Sequence, residues 1–333
     1  MWFRSNLRTI RRDVIAELLF ALALLVAAPH ALALGERATP VREATVYLSP
    51  DDHSNKLGIA ERGREMIILE ATPNWLHVEA MLGAAPVQDG QDEDQVTEKT
   101  ITGWVKEKGV VRVSTPNGDQ IVYGEAADSE DQASRRGGRR GAAQDAGRLY
   151  YRVYDLFPTS PLAPAALYRA ADIRWQIEKS DVASRPSSHA KEAFLRVGMD
   201  EQWMKLVIKK YPGTKWADLA AFQLIENKLC GDWQGDYKCP DKEAEIYEKY
   251  AQDHSQSPAT PEALYDAAWR RSALIEIYKS DGNAKKSEES RGRATALVQR
   301  IVSQYPQSDY AARAQRLLYL LQQGVPTYGN ATE

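Results

Sequence analysis

SPLAPAALYRAA (Ser160–Ala171) and SPATPEALYDAA (Ser257–Ala268) agree at eight of twelve positions and begin 97 residues apart. Self-similarity at this scale decides the fold class, because a chain that repeats itself builds an array of like units and not one enclosed core. Each copy follows the end of one helical pattern and opens another. Phe157-Pro158-Thr159-Ser160-Pro161, Tyr211-Pro212-Gly213-Thr214, His254-Ser255-Gln256-Ser257-Pro258 and Tyr305-Pro306-Gln307-Ser308 are four versions of one junction. The Ser or Thr can accept hydrogen bonds from free amides at a helix start, and proline is tolerated where its missing N–H has no partner. Whether Ser160 or Ala163 is the cap stays open, since Pro164 offers a second start. The restarts Ser160, Thr214, Ser257 and Ser308 are spaced by 54, 43 and 51 residues, so the two phrases stand two repeats apart.

From Leu149 onward apolar residues recur at spacings of three and four. Leu149, Tyr150, Val153, Tyr154 and Phe157 fall on one face, as do Ala294, Leu297, Val298, Ile301, Val302 and Tyr305, which specifies amphipathic helices. The alanines that follow each restart let helices approach closely, and Tyr168, Trp216, Tyr265, Trp269 and Tyr310 are expected to fill the remaining space. Residues 148–325 are therefore expected to form an all-α array of eight helices in four hairpins. The pattern Tyr-Pro-x-Ser/Thr-x-aromatic-Ala, at Tyr211–Ala217 and Tyr305–Ala311, resembles the tetratricopeptide-like (TPR-like) repeats of bacterial envelope proteins. BamD of outer-membrane assembly and the periplasmic Tol-associated coordinator of cell-wall synthesis carry repeats of this kind. The resemblance implies a protein or peptide segment as partner and the periplasm as compartment.

Residues 41–115 carry the other period. ATVYL, MIILE, NWLHVEA and ITGWV are short runs rich in β-branched and aromatic residues, cut by Gly58, Gly63, Pro73 and Gly103, and they read as strands of a small all-β barrel. The order Ser49-Pro50, Lys56-Leu57-Gly58, Arg62-Gly63, Asn74-Trp75-Leu76-His77-Val78 and Thr102-Gly103-Trp104-Val105 resembles the bacterial SH3-like family, with Met81–Thr100 as a long acidic surface loop. Trp75 and Trp104 alternate with apolar neighbours and are expected in the barrel core, with a stacking surface for a glycan or peptide as the other reading. Tyr47 is a candidate groove residue. Residues 116–147, with acidic and basic blocks and the run RRGGRR (Arg135–Arg140), show no apolar period and are expected to be a flexible linker.

Arg4, Arg8, Arg11 and Arg12, the apolar run Ile15–Ala28 and Ala31-Leu32-Ala33 have the order of a secretory signal peptide over residues 1–33, with an uncleaved anchor as the alternative. No cysteine lies near that site to accept lipid, so an exported, periplasmic protein that is not a lipoprotein is expected, free or associated with either membrane. The two cysteines, Cys230 and Cys239, close CGDWQGDYKC and read as one disulfide, which in an exported chain would contribute about 2–3 kcal/mol. Trp233 and Tyr237 within that loop lack a periodic reason for burial and are candidate partner contacts.

A net charge of -3 gives no pull toward nucleic acid, and phosphate loops, dinucleotide fingerprints, HExxH and GxSxG are absent from the sequence. Two thiolates beside His254 are too few for a metal site. A Cys–His cell-wall hydrolase, with Cys230 or Cys239 as nucleophile and His254 or His189 as base, is the enzymatic alternative; a hydrolase activator and a membrane-anchored sensor are the others. The expected function is a non-enzymatic envelope scaffold without cofactor or small-molecule substrate, its repeats holding an envelope protein or peptide and its SH3-like module binding peptide or peptidoglycan.

Overall fold

The computed structural model describes residues 35–82, 99–190 and 193–328, with the backbone alone at His189 and Ala193. The expected leader and most of the acidic excursion lie outside the described residues, and so does the side chain of His189. The chain divides at Gly118 into two compact units.

The first unit is a single antiparallel sheet of β1 (Glu36–Pro40), β2 (Ala44–Tyr47), β3 (Lys56–Ala60), β4 (Met66–Thr72), β5 (Trp75–Met81), β6 (Thr100–Lys106) and β7 (Val110–Arg112). The strand order is β3-β2-β6-β5-β4-β1-β7, and the sheet curls into a half-barrel. Alternation along the strands points Val46, Met66, Ile68, Leu76, Val78, Ala80 and Val105 to one face, where they form the core. The sheet starts earlier than residue 41. Ala38, fully buried, pairs with Met66 of β4 and Arg112 of β7, so β1 is an interior strand. The base of the acidic excursion stays in the ladder, through the Leu82 N–H donated to the Lys99 carbonyl at 2.9 Å.

Gly103 is required by close approach. A Cβ there would meet the Tyr47 carbonyl oxygen and Val46 Cγ1, both at 2.6 Å. Gly103→Val should therefore push β2 from β6 at a cost of about 1–3 kcal/mol. Amide exchange over both strands should then quicken roughly 5- to 150-fold, the same free energy read as an opening equilibrium; unchanged protection would show that the sheet yields elsewhere.

The second unit is helical. After α1 (Gly118–Ser134), α2 (Ala142–Leu156) packs on α3 (Ala163–Ala183), α4 (Gln202–Lys210) on α5 (Lys215–Gln223), α6 (Lys238–Asp253) on α7 (Thr260–Ser280) and α8 (Ala284–Gln304) on α9 (Asp309–Gln323). Among the described residues this is eight helices in four hairpins, with α1 as a ninth. The four junctions are one structure. Phe157, Tyr211, His254 and Tyr305 each end the first helix of a hairpin at φ −120° to −130° and ψ 47° to 57°. Each then accepts a hydrogen bond from the N–H three residues on, that of Ser160, Thr214, Ser257 or Ser308, at 2.9–3.3 Å. Thr214 is a side-chain cap, accepting from the Ala217 N–H. Neither Ser160 nor Ala163 occupies the cap of α3, where Leu162 stands; Ser160 Oγ accepts from the Leu162 N–H and so holds the turn before it. Ser257 holds the Ala259 N–H in the same way.

The expected linker at 116–147 is helical over most of its length. Val122, Ala126 and Ser129 of α1 are buried, a stripe too short and too small-sided to register as an apolar period. The helix is held instead by polar and ring contacts: Tyr123 lies edge-on to Tyr150 at 5.1 Å, Glu130 accepts from the Tyr150 hydroxyl at 2.9 Å and pairs with Arg169, and Asp119 accepts from Ser160 Oγ at 2.5 Å. RRGGRR is the turn between α1 and α2. Gly137 and Gly141 take positive φ there, and Arg139 pairs with the buried Asp145.

Candidate functional site

The helical unit holds a cleft of about 550 Å³ between α3, α5, α6 and α7. Tyr168, Leu219, Phe222, Leu229 and Tyr247 give it apolar and aromatic walls, while Gln176, Lys179, Gln223, Glu226, Glu262 and Asp266 supply polar groups. The walls are anchored in two different helical cores, Tyr168 in one and Tyr247 in another. Successive hairpins thus leave an amphipathic slot where their cores meet.

The electrostatics are one-sided. Lys179 is committed to Glu226 at 2.7 Å. Glu262, Asp266 and Arg270 follow at four-residue spacing on α7, so they share a face. Arg270 is bound at 2.6 Å to Glu243, which is 2% exposed, and lies 3.9 Å from Asp266. Burial pushes the Asp266 carboxyl up to about 6, against the pull of Arg270 and with the repulsion of Glu262 added; a hydrogen bond from Tyr247 offsets part of this. Tyr168, Tyr247 and Tyr310 are likewise raised by burial, Tyr310 also through its bond to Glu262.

A sign for pH dependence follows. The Asp266 carboxyl keeps its proton to about pH 6 in the folded chain but only to about 4 unfolded, so stability is full at the acid end and is lost as pH rises through about 6. Asp266→Asn should abolish this slope in melting temperatures recorded across that range. An unchanged slope would assign it to another group.

Cys230 and Cys239 form a disulfide. Their loop is folded onto the array, not displayed. Glu243 Oε1 accepts from the Cys230 N–H at 2.8 Å and from the Trp233 indole at 3.2 Å, and its other oxygen takes Arg270. Trp233 packs at 5.2 Å from Trp269 and 5.6 Å from Tyr328, and Tyr237 at 5.3 Å from Tyr278 with Lys286 over its ring. Both candidate contacts are therefore half-buried by the chain itself. His254 closes α6, with Nδ1 2.8 Å from Asp218 and its ring stacked on Tyr250.

The tryptophans of the sheet are not core. Leu76 and Val105 take the inward positions, so Trp75, His77 and Trp104 stand half-buried on the opposite face. Register brings Tyr47 and His77 beside Trp104. Tyr47 meets Trp75 edge-on at 5.5 Å and His77 stacks on Trp104 at 4.8 Å, making one aromatic surface. At its end Asp52, Asn74, Trp75, Lys106, Glu107 and Lys108 line a second cleft of about 530 Å³, in which Lys106 bonds Asp52 at 2.7 Å.

No single stretch marks the first cleft, since its residues run from Tyr168 to Asp266. The signal available in sequence lay in the repeated phrase. Glu262 and Asp266 stand where the first copy has Ala165 and Arg169, and three of the four positions at which the copies differ (Ala259, Glu262 and Asp266) line the cleft.

No protein-family model and no curated protein matches the chain. Among solved structures, the chain is similar to the MamA RS-1 ArsTM double mutant, at 13% identity over 63% of this chain and 98% of that one, with a TM-score of 0.29. It is also similar to the de novo designed helical repeat protein DHR64, at 17% identity over 62% and 92%, with a TM-score of 0.22. Overlap this low assigns nothing beyond itself, and the helical repeat rests on the chain's own four junctions.

Proposed function

We propose that this chain is an exported, non-catalytic binding protein of the cell envelope, whose helical unit holds an extended segment of a partner protein. The observation that carries the reading is the slot between α3, α5, α6 and α7, with aromatic walls for side chains and amide and carboxylate groups for a partner's backbone and polar groups. Stacked helical hairpins bind through such grooves. Export is supported by the leader-like order of residues 1–33 and by a disulfide, which persists in oxidising compartments. The scaffold reading over a hydrolase is supported by the state of its candidate nucleophiles, since the two cysteines are bonded to each other. The sheet is read as SH3-like, with peptidoglycan as ligand of its aromatic face, because half-exposed rings flanked by Asp52, Asn74 and Lys106 suit stacking with hydrogen bonding.

The mature chain should enrich extended peptides from a random display library. Gln176→Trp, which fills the slot from an exposed position, should abolish that binding without moving the melting temperature. Peptides that bind the variant equally well would place the interaction elsewhere and sink this reading.

A further inference from the structure

Resting on the segment-binding reading, the geometry points to a lysine or arginine side chain as the group the slot selects: its charge beside Glu262 and Asp266, its aliphatic stem along Tyr168, Phe222 and Tyr247.

Three observations meet here. Local charge is only partly compensated: of the slot's three carboxylates, Glu226 already holds Lys179, whereas Glu262 and Asp266 have tyrosine hydroxyls as hydrogen-bond partners. The nearest cation, Arg270, is taken by the closer Glu243 and stacks over Tyr247 at 4.5 Å, so it neutralises Asp266 only in part. The walls are ring faces, which attract a cation and cover an alkyl chain, and a long basic side chain presents both. The internal repeat separates these residues from packing. The copies share Ala166/Ala263, Leu167/Leu264, Ala170/Ala267 and Ala171/Ala268, all buried; the second copy departs from the first by acquiring the two slot carboxylates. A carboxylate desolvated among tyrosines weakens the folded chain, and an arriving ammonium or guanidinium recovers that loss as affinity.

The pH response has a definite direction. Asp266 is faced by Glu262 and Arg270 on its own helix, by Tyr247 and Glu243 on α6 and by Glu226 after α5, with Tyr310 of α9 bonded to Glu262. Asp266, with its raised titration, is the group that changes near pH 6. Affinity for a basic segment should rise as pH rises through that value.

The test uses the mature chain and three fluorescein-labelled peptides of one extended Gly/Ser frame, carrying lysine, norleucine or glutamate at alternate positions, read by anisotropy. The lysine peptide should bind about tenfold tighter than the others, with an advantage that shrinks in salt and below pH 6. Glu262→Gln with Asp266→Asn, both isosteric, should remove that advantage, so that the lysine peptide binds no tighter than the norleucine one, without lowering the melting temperature. Equal or tighter binding of norleucine or glutamate, or an unchanged lysine preference in the double variant, overturns the inference and leaves the segment-binding reading standing. Failure of all three peptides to bind overturns both.

Discussion

Glu243→Ala is expected to lower the stability of the helical unit by about 3–5 kcal/mol, the cost of removing one partner from a buried ion pair. The side chain is 2% exposed and is the meeting point of three donors, the Cys230 N–H, the Trp233 indole and Arg270 Nε at 2.6 Å. Alanine would leave the guanidinium inside a box of Tyr247, Trp233 and Trp269 with only the more distant Asp266, at 3.9 Å, to meet its charge. It would also loosen the disulfide loop, since the Cys230 N–H and the Trp233 indole both donate to the lost oxygen. Glu243→Gln keeps the acceptor and loses the charge, so it should recover part of the loss. Urea titration of the three proteins decides the matter: a loss under 1 kcal/mol for alanine would mean that Arg270 escapes to solvent at little cost.

Leu264→Ala and Leu167→Ala should each cost about 2–5 kcal/mol, and their costs should be alike. Both leucines are fully buried, at the same place in the repeated phrase, and each sits in a different helical core. Each is flanked by alanines at matching positions, and alanines leave little side chain with which to fill the hole. In a stacked array damage to one hairpin weakens the interfaces on either side, so both substitutions should lower the midpoint of the shared helical transition. Sharply unequal costs would show that the phrase repeats in sequence without repeating in environment.

The second copy of the phrase also shows where sequence reading succeeds and where it stops. The identical pairs Ala166/Ala263, Leu167/Leu264, Ala170/Ala267 and Ala171/Ala268 are buried in both copies, because close packing imposes local demands that the same residues meet each time. The divergent positions Glu262 and Asp266 read as surface charges, and only the packing of α3, α5 and α6 against α7 encloses them in a slot. Elsewhere the misses have the same origin. Helix α1 has too few apolar side chains for a period, and its place is held by Asp119, Tyr123 and Glu130, whose partners lie 20 to 41 residues away. Trp75 and Trp104 alternate with apolar neighbours just as core residues would, and alternation alone cannot say which of two faces is inward. That choice was made when Leu76, Val78 and Val105 closed the core with β1, a strand that a boundary at residue 41 leaves out.

What the sequence determined by itself was the array: the helical period, the four aromatic junctions and the disulfide loop are written in residues close along the chain, where capping, proline and spacing act locally. What only the tertiary structure decided was every surface a ligand would meet. The slot gathers side chains from four helices, the aromatic face gathers Tyr47, Trp75, His77 and Trp104 from three strands, and Glu243 joins Cys230 to Arg270 across 40 residues. Groups so far apart in sequence meet through packing, and their burial, pairing and ionisation have no value until they do.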